Sequence, residues 1–258
     1  MIELSLNLYF SWHTVEAFTS TFAELYSRTD VYVHEHAWKS GRVEYEERLY
    51  NELAKGRISP EEMMKKIPDA LTDPAFYKKL YGLVFTSRKR VLLERSPLTL
   101  EEVRDDLSQI DLRNMTVNDK LQIYERNLQK RAAYHRKRDE CFASLLLECC
   151  RTYAGRDTLV MRGCMHRRPL EKFLGEKGVV FITHLSHNPL PLHANLEIVS
   201  KLEAGERINR RELLTALAEH TELDSGKYDL KSLKMNDLIH IQNRLSRLSE
   251  SQMEELLA

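Results

Sequence analysis

Five short stretches of the chain carry the hydrophobic pattern of β-strands. Apolar and polar side chains alternate over residues 2–10, and apolar runs rich in β-branched residues occur at four later positions. These four runs are residues 30–36, 90–94, 158–162 and 179–183. Apolar residues at helical spacing fill most of the intervening chain, and a strand–helix–strand order is typical of parallel strands joined by right-handed crossovers. The pattern therefore predicts an α/β fold with a mostly parallel central sheet of about five strands flanked by helices.

The helical segments begin at recognisable signals. Ser59, followed by proline and two glutamates, predicts a helix start with Ser59 as the N-cap. Gly163 ends the fourth strand and Pro169 opens an apolar pattern of helical spacing, which predicts strand, tight turn and helix. Strand signals stop after residue 193. We therefore expect an α/β domain over residues 1–193 and a helical C-terminal extension over residues 194–258.

Composition and charge narrow the class of protein. The 39 lysines and arginines balance the 39 aspartates and glutamates, so no global field favours nucleic acid or an anionic membrane. No segment approaches the roughly 18 continuous apolar residues of a membrane span, and no basic leader is present, so we expect a cytoplasmic protein without a membrane partner. The four cysteines include no CxxC pair, which suits reduced thiols. Among them only Cys164 lies near the expected crevice.

Candidate ligands for a metal ion follow the ends of four predicted strands. Because the carboxyl ends of parallel strands meet at one edge of a sheet, residues there are expected to line a ligand crevice. Their imidazoles and carboxylates suit Mn, Fe, Co or Zn. The first two strands are expected to be neighbours. The four residues are His13, Glu35, Glu94 and His166.

Each candidate also has a structural interpretation. A histidine after a strand is commonly a helix cap, and a glutamate at a strand end is commonly solvated or paired. Arg138 would then pair with a nearby acid such as Asp139 or Glu140. A second histidine set is a further alternative, although ten histidines in one chain produce such clusters by chance. This second set is His34, His36, His184 and His187.

The order of these residues resembles the TraB and Tiki superfamily. That group includes the pheromone-shutdown proteins and is similar to erythromycin-esterase-like and ChaN-like proteins. The resemblance covers roughly residues 2–183. Phe10 stands where the family's first GxxH motif has glycine, and the C-terminal helices lie outside the pattern. The positions that match are FSWH at 10–13 and GCMH at 163–166, Glu35 after the second strand, Glu94 after the third, and Arg138 at a helix start before the last crossover.

The resemblance implies a metal-dependent hydrolase of peptide or ester bonds with a small-molecule or peptide substrate. His13, Glu35 and His166 would hold a divalent ion, which could be Mn, Co, Fe or Zn. Glu35, Glu94 and Arg138 would be the catalytic groups, with one glutamate as general base. A cationic side chain would hold an oxyanion or a substrate carboxylate. The candidates for that role are Arg138, Arg162, Arg167 and Arg168.

A non-catalytic binding or scaffold protein of the same fold is the alternative. The basic segment 125–140, ERNLQKRAAYHRKRDE, interleaves arginines and lysines with Tyr134 and His135, a composition that can bind phosphates or nucleic acid. On a helix these residues spread over several faces, and acids flank them, so nucleic-acid binding is not favoured. The C-terminal helices would instead form a homo-oligomer.

Overall fold

The computed structural model describes residues 6–12, 15–35, 42–67, 73–94, 115–186, 192–227 and 235–258, and all statements about the structure refer to these residues. The chain divides into two compact units. The first consists of Met1–Leu100 and Arg138–Leu190, and the second of Glu101–Lys137 and Pro191–Ala258. Residues 101–137 are thus grouped with the C-terminal helices, whereas the sequence pattern alone placed the boundary between residues 193 and 194.

The first unit contains a five-stranded parallel sheet, which confirms the predicted α/β fold. The strands lie in the order β3-β2-β4-β1-β5. The prediction that the first two strands are neighbours is wrong, because β4 lies between them and pairs with both. All carboxyl ends meet at one edge. The strands are β1 (Leu6–Ser11), β2 (Val31–His34), β3 (Arg90–Leu93), β4 (Thr158–Gly163) and β5 (Phe181–Leu185).

Helices pack on both faces of this sheet because successive strand residues point to opposite sides. One face, with Tyr9, Tyr32 and Met161, packs on the four helices that precede β3. The other face, with Phe10 and Val33, packs on the last part of α5 and on α6. The helices of the first unit are α1 (Ser20–Arg28), α2 (Val43–Ala54), α3 (Pro60–Lys66), α4 (Pro74–Ser87), α5 (Val117–Thr152, from Arg138 onward) and α6 (Arg167–Glu176), with short 3-10 turns at Val15–Ala17 and Cys164–His166.

The second unit is helical in its described residues. Its core consists of buried leucines and other apolar residues from each helix, among them Leu128, Leu214 and Ile241. Tyr124 donates a hydrogen bond of 3.2 Å to the carbonyl oxygen of Ala216 within this core. None of the described helices is both long and apolar enough to cross a membrane. The elements are α5 up to Lys137, α7 (Ala194–Glu203), α8 (Arg210–Glu222), a π-helical turn (Leu223–Lys227), α9 (Met235–Ser246) and α10 (Glu250–Leu257).

Candidate active site at the carboxyl edge of the sheet

Two glutamates are fixed by the backbone directly after their strands. The amide of Glu35 donates to the carbonyl oxygen of Met161 at 3.2 Å, and that of Glu94 donates to the carbonyl oxygen of His34 at 3.1 Å. Strand pairing thus continues one residue beyond β2 and β3. Because side chains alternate, His34 points into the aromatic layer beside Tyr32, whereas Glu35 points to the opposite face of the sheet.

Arg138 joins the two glutamates. Its Nε donates to Glu94 Oε1 at 2.7 Å, and its Nη2 donates to Glu94 Oε2 at 2.6 Å and to Glu35 Oε1 at 2.8 Å. The Arg138 side chain is only 2% exposed. The sequence pattern predicted that Arg138 begins a helix. This prediction is wrong, because Arg138 lies in the interior of α5. Its partners are the two strand-end glutamates, and neither of the acids that follow it in sequence accepts one of these bonds.

Arg162 is a second guanidinium in the same network, and it is fully buried. It donates to Glu94 Oε2 at 2.9 Å and to Asp139 Oδ1, and its guanidinium lies 4.1 Å from the ring centroid of Phe142. A charge inside the apolar strand β4 is tolerated only when it is paired. Asp139, which is also fully buried, supplies one partner.

His166 lies between two carboxylates. Its Nδ1 is 2.9 Å from Asp139 Oδ2, and its Nε2 is 3.5 Å from Glu35 Oε1. The other oxygen of Glu35 accepts a hydrogen bond of 2.6 Å from the backbone amide of Gly163. The 3-10 turn Cys164–His166 directly follows β4, and His166 at its end is 2% exposed.

The network carries three carboxylates and two guanidiniums, so its formal charge is −1 when the imidazole is neutral. Burial alone would lower the pKa of Arg138 and of Arg162. The adjacent carboxylates outweigh burial and raise both pKa values above that of an ordinary arginine. Both guanidiniums therefore stay charged, and one negative charge of the cluster is not balanced by them.

The structure brings together four of the five residues predicted as metal ligands or catalytic groups: Glu35, Glu94, Arg138 and His166. The fifth, His13, lies outside the described residues, although it follows the end of β1 by two positions. Phe10 stands where the TraB and Tiki pattern has glycine. It is a buried residue of β1, which continues to Ser11 without a turn at this position.

Comparisons with protein families, with characterised proteins and with solved structures find no match to this chain. Membership in the TraB and Tiki superfamily therefore stays a prediction, carried by the order of the site residues.

Sequence reasoning missed Asp139 as a site residue. The sequence offered Asp139 only as a possible partner of Arg138, but its carboxylate contacts both Arg162 and His166. A signal was present, since Asp139 lies three and seven residues before Phe142 and Leu146, on the buried stripe of α5. An acid on such a stripe requires a buried partner.

The second histidine set does not assemble among the described residues. His34 packs on aromatic rings and its Nδ1 is 3.1 Å from the hydroxyl of Tyr32. His184 lies on β5, with its Nε2 3.1 Å from Asn7 Oδ1. Three strand spacings, about 14 Å, separate β2 from β5. His36 and His187 lie outside the described residues.

Other sequence candidates have different surroundings. Arg167 is exposed and pairs with Glu171 at 3.1 Å, and Arg168 is also exposed. Burial raises the pKa of the Cys164 thiol to about 12, so this side chain is protonated at neutral pH and is a poor nucleophile.

The basic segment of α5 does not form one phosphate-binding face. Tyr134 and His135 are buried, and Arg138 is bonded to Glu94. Arg136 donates to the backbone carbonyl oxygens of Leu202 and Glu203 at 2.8 and 3.1 Å, at the end of α7. Four of the eight basic and aromatic residues of this segment are thus buried or bonded within the protein, which does not favour a nucleic-acid interface here.

Proposed function

We propose that this protein is a hydrolase that uses a divalent metal ion at the carboxyl edge of its sheet. The observation that carries the proposal is the position of His166 between two carboxylates, 2.9 Å from Asp139 and 3.5 Å from Glu35. A metal-binding histidine almost always has a carboxylate or carbonyl on its second ring nitrogen, which fixes the ring and raises its basicity. Asp139 would have that role.

The distances and the charge both fit such an ion. Two ligands bound to one ion at about 2.1 Å lie roughly 3.0 to 3.4 Å apart in tetrahedral or octahedral geometry. The separation of His166 Nε2 and Glu35 Oε1, 3.5 Å, is close to that range. The formal charge of −1 on the five charged side chains also favours an added cation.

The first ligands would be His166 and Glu35, with His13 as the expected third. β1, β4 and β2 are adjacent strands in that order, and the three residues follow their carboxyl ends in the chain. When bound, the ion would polarise a scissile carbonyl and lower the pKa of a water molecule. The substrate class is a peptide or ester.

Glu94, Arg138 and Arg162 act as positioning residues in this proposal. Glu94 accepts four hydrogen bonds from the two guanidiniums. These four bonds use the lone-pair sites of its carboxylate. Glu94 is therefore poorly suited to accept a proton from water as a general base. Arg138 holds Glu35, and Arg162 holds Asp139, so each fixes a group next to the imidazole.

The test combines metal binding with turnover. Metal-free protein is titrated with Mn, Co and Zn by calorimetry, and its melting temperature is followed with and without chelator, because an ion that binds only the folded state stabilises it. His166→Ala should lose both signals, while His240→Ala, on the exposed surface of α9, should keep them. Loaded protein is then assayed on fluorogenic peptide mixtures and chromogenic esters.

Saturable binding by the parent and by His240→Ala, together with metal-dependent hydrolysis, is the expected result. Metal binding by His166→Ala equal to that of the parent would contradict the proposed metal site. Metal binding without hydrolysis of any substrate class would favour the alternative, a binding or scaffold protein of the same fold.

A further inference from the structure

The guanidinium of Arg162 is contacted along its edge and on one face by different groups. Glu94 and Asp139 accept the hydrogen bonds that its edge donates. The ring of Phe142 lies against its face, with 4.1 Å between the ring centroid and Cζ of Arg162. Both side chains are fully buried, so water does not screen this contact. A desolvated cation over an aromatic face interacts more strongly than the same pair on a protein surface.

The contact with Phe142 matters because two positive charges lie close together in this network. Arg138 and Arg162 both donate to Glu94, so two like charges share one carboxylate. The face of an aromatic ring carries negative charge density, so it stabilises a guanidinium without adding a further acid. A leucine at position 142 would fill a similar space but has no such face. The aromatic character of Phe142, and not only its volume, therefore helps to hold Arg162.

The position of Arg162 affects the imidazole through Asp139. One oxygen of Asp139 accepts from Arg162, and the other lies 2.9 Å from His166 Nδ1. A carboxylate only accepts hydrogen bonds, so Nδ1 carries a proton and Nε2 is the nitrogen that faces Glu35. Asp139 and Phe142 are three residues apart on α5, which places them on the same side of this helix. One helix therefore supplies both the ring against Arg162 and the carboxylate that Arg162 holds.

We propose that Phe142 is a positioning residue for His166, acting through Arg162 and Asp139. The ring face holds the guanidinium, the guanidinium orients the carboxylate, and the carboxylate fixes the nitrogen that carries the proton. This series of contacts is present without a metal ion. Its consequence for a bound ion rests on the function proposed above, in which His166 is a ligand. Weakening the ring face should therefore weaken the hydrogen bond of His166 and, through it, metal binding.

Fluorinated phenylalanines at position 142 test the proposal at nearly constant side-chain volume. Each added fluorine withdraws electron density from the ring face and weakens its attraction for a cation. The series runs from a monofluoro through a trifluoro to the pentafluoro ring. The matched control places the same residues at Phe22, a fully buried ring of α1 in the aromatic layer on the other face of the sheet.

Two measurements follow the effect of each ring. Proton NMR of the metal-free protein gives the rate at which the His166 Nδ1 proton exchanges with solvent, and this signal is identified by its loss in His166→Ala. Calorimetric titration gives the affinity for Co. A residue that only fills space would change neither quantity in step with fluorination.

The expected result is a stepwise rise in the exchange rate of the His166 Nδ1 proton, about tenfold from phenylalanine to its pentafluoro form, with a fall in Co affinity of the same order. The series at Phe22 should change neither quantity. Exchange rates and Co affinities that stay constant across the series at Phe142 overturn the proposal. If the parent binds no Co but exchange still rises with fluorination at Phe142, the positioning role stands and the proposed metal function fails.

Discussion

His166 and Asp139 are joined by a contact of 2.9 Å between Nδ1 and Oδ2, on the side of the ring opposite Glu35. This arrangement fixes which nitrogen faces the sheet edge. It makes the carboxylate of Asp139 the group that orients the imidazole, although Asp139 itself lies on a helix and not at a strand end.

Asp139→Asn should weaken metal binding about 10- to 100-fold without changing its stoichiometry, as expected for a residue that supports a metal ligand. Calorimetric titration with Mn and Co measures this. Glu140→Gln, the exposed neighbour on α5, should bind like the parent. Parent-like affinity in Asp139→Asn would show that the carboxylate only neutralises Arg162.

Glu94→Gln should lower the free energy of unfolding by about 3–5 kcal/mol, because it removes the charge shared by two buried guanidiniums. Urea denaturation measures the loss. Glu52→Gln breaks exposed contacts with Lys55 and Arg57 and should leave the transition midpoint nearly unchanged. Equal midpoints for the two variants would contradict a cooperative buried network.

Cys164 should react slowly with iodoacetamide at pH 8. Burial raises its pKa from 9.0 to about 12, so the thiolate fraction is about a thousandfold below that of the same thiol in the unfolded chain. The folded state favours the neutral thiol of Cys164. The contribution of this thiol to the free energy of unfolding is therefore complete below pH 9 and is lost as the pH rises toward 12.

Peptide mass spectrometry of the parent, native and in urea, gives the Cys164 rate. The native rate should rise about tenfold per pH unit above pH 8. A native rate equal to that in urea would mean that this thiol is not shielded.

Ser59→Ala should destabilise the protein by about 1 kcal/mol. The Ser59 hydroxyl accepts from the amide of Glu62 at 3.2 Å, and the Ser59 amide donates to Glu62 Oε2 at 2.7 Å. Thermal denaturation measures the effect. Ser144→Ala, inside α5 and exposed, removes a hydroxyl without removing a cap and should be neutral or slightly stabilising.

Local patterns predicted the elements of the sheet because strand alternation and caps act over a few residues. The cap at Ser59 and the strands that precede Glu35 and Glu94 are such cases. Strand order was not predictable in this way. β4 lies between β1 and β2 although more than 120 residues follow β2 before it begins, and nothing local in either strand specifies that pairing.

The site was predicted in part for the same reason. Strand ends point to Glu35, Glu94 and His166, since parallel strands share an edge. Asp139 and the pairing of Arg162 depend on how α5 packs across β4, which the chain's periodicity constrains only weakly. The position of His13 beside this group stays a prediction.

The placement of β4 has a consequence for synthesis of the chain. During translation Glu35 and Glu94 are synthesised well before Arg138 and Arg162. For much of translation the two carboxylates therefore lack the guanidiniums that neutralise them in the folded protein. They must stay hydrated until then, and β1 and β2 have no common partner before residue 158 emerges. The five-stranded sheet therefore forms late in translation, because β4 is the pairing partner of both β1 and β2 and also carries the second guanidinium, that of Arg162.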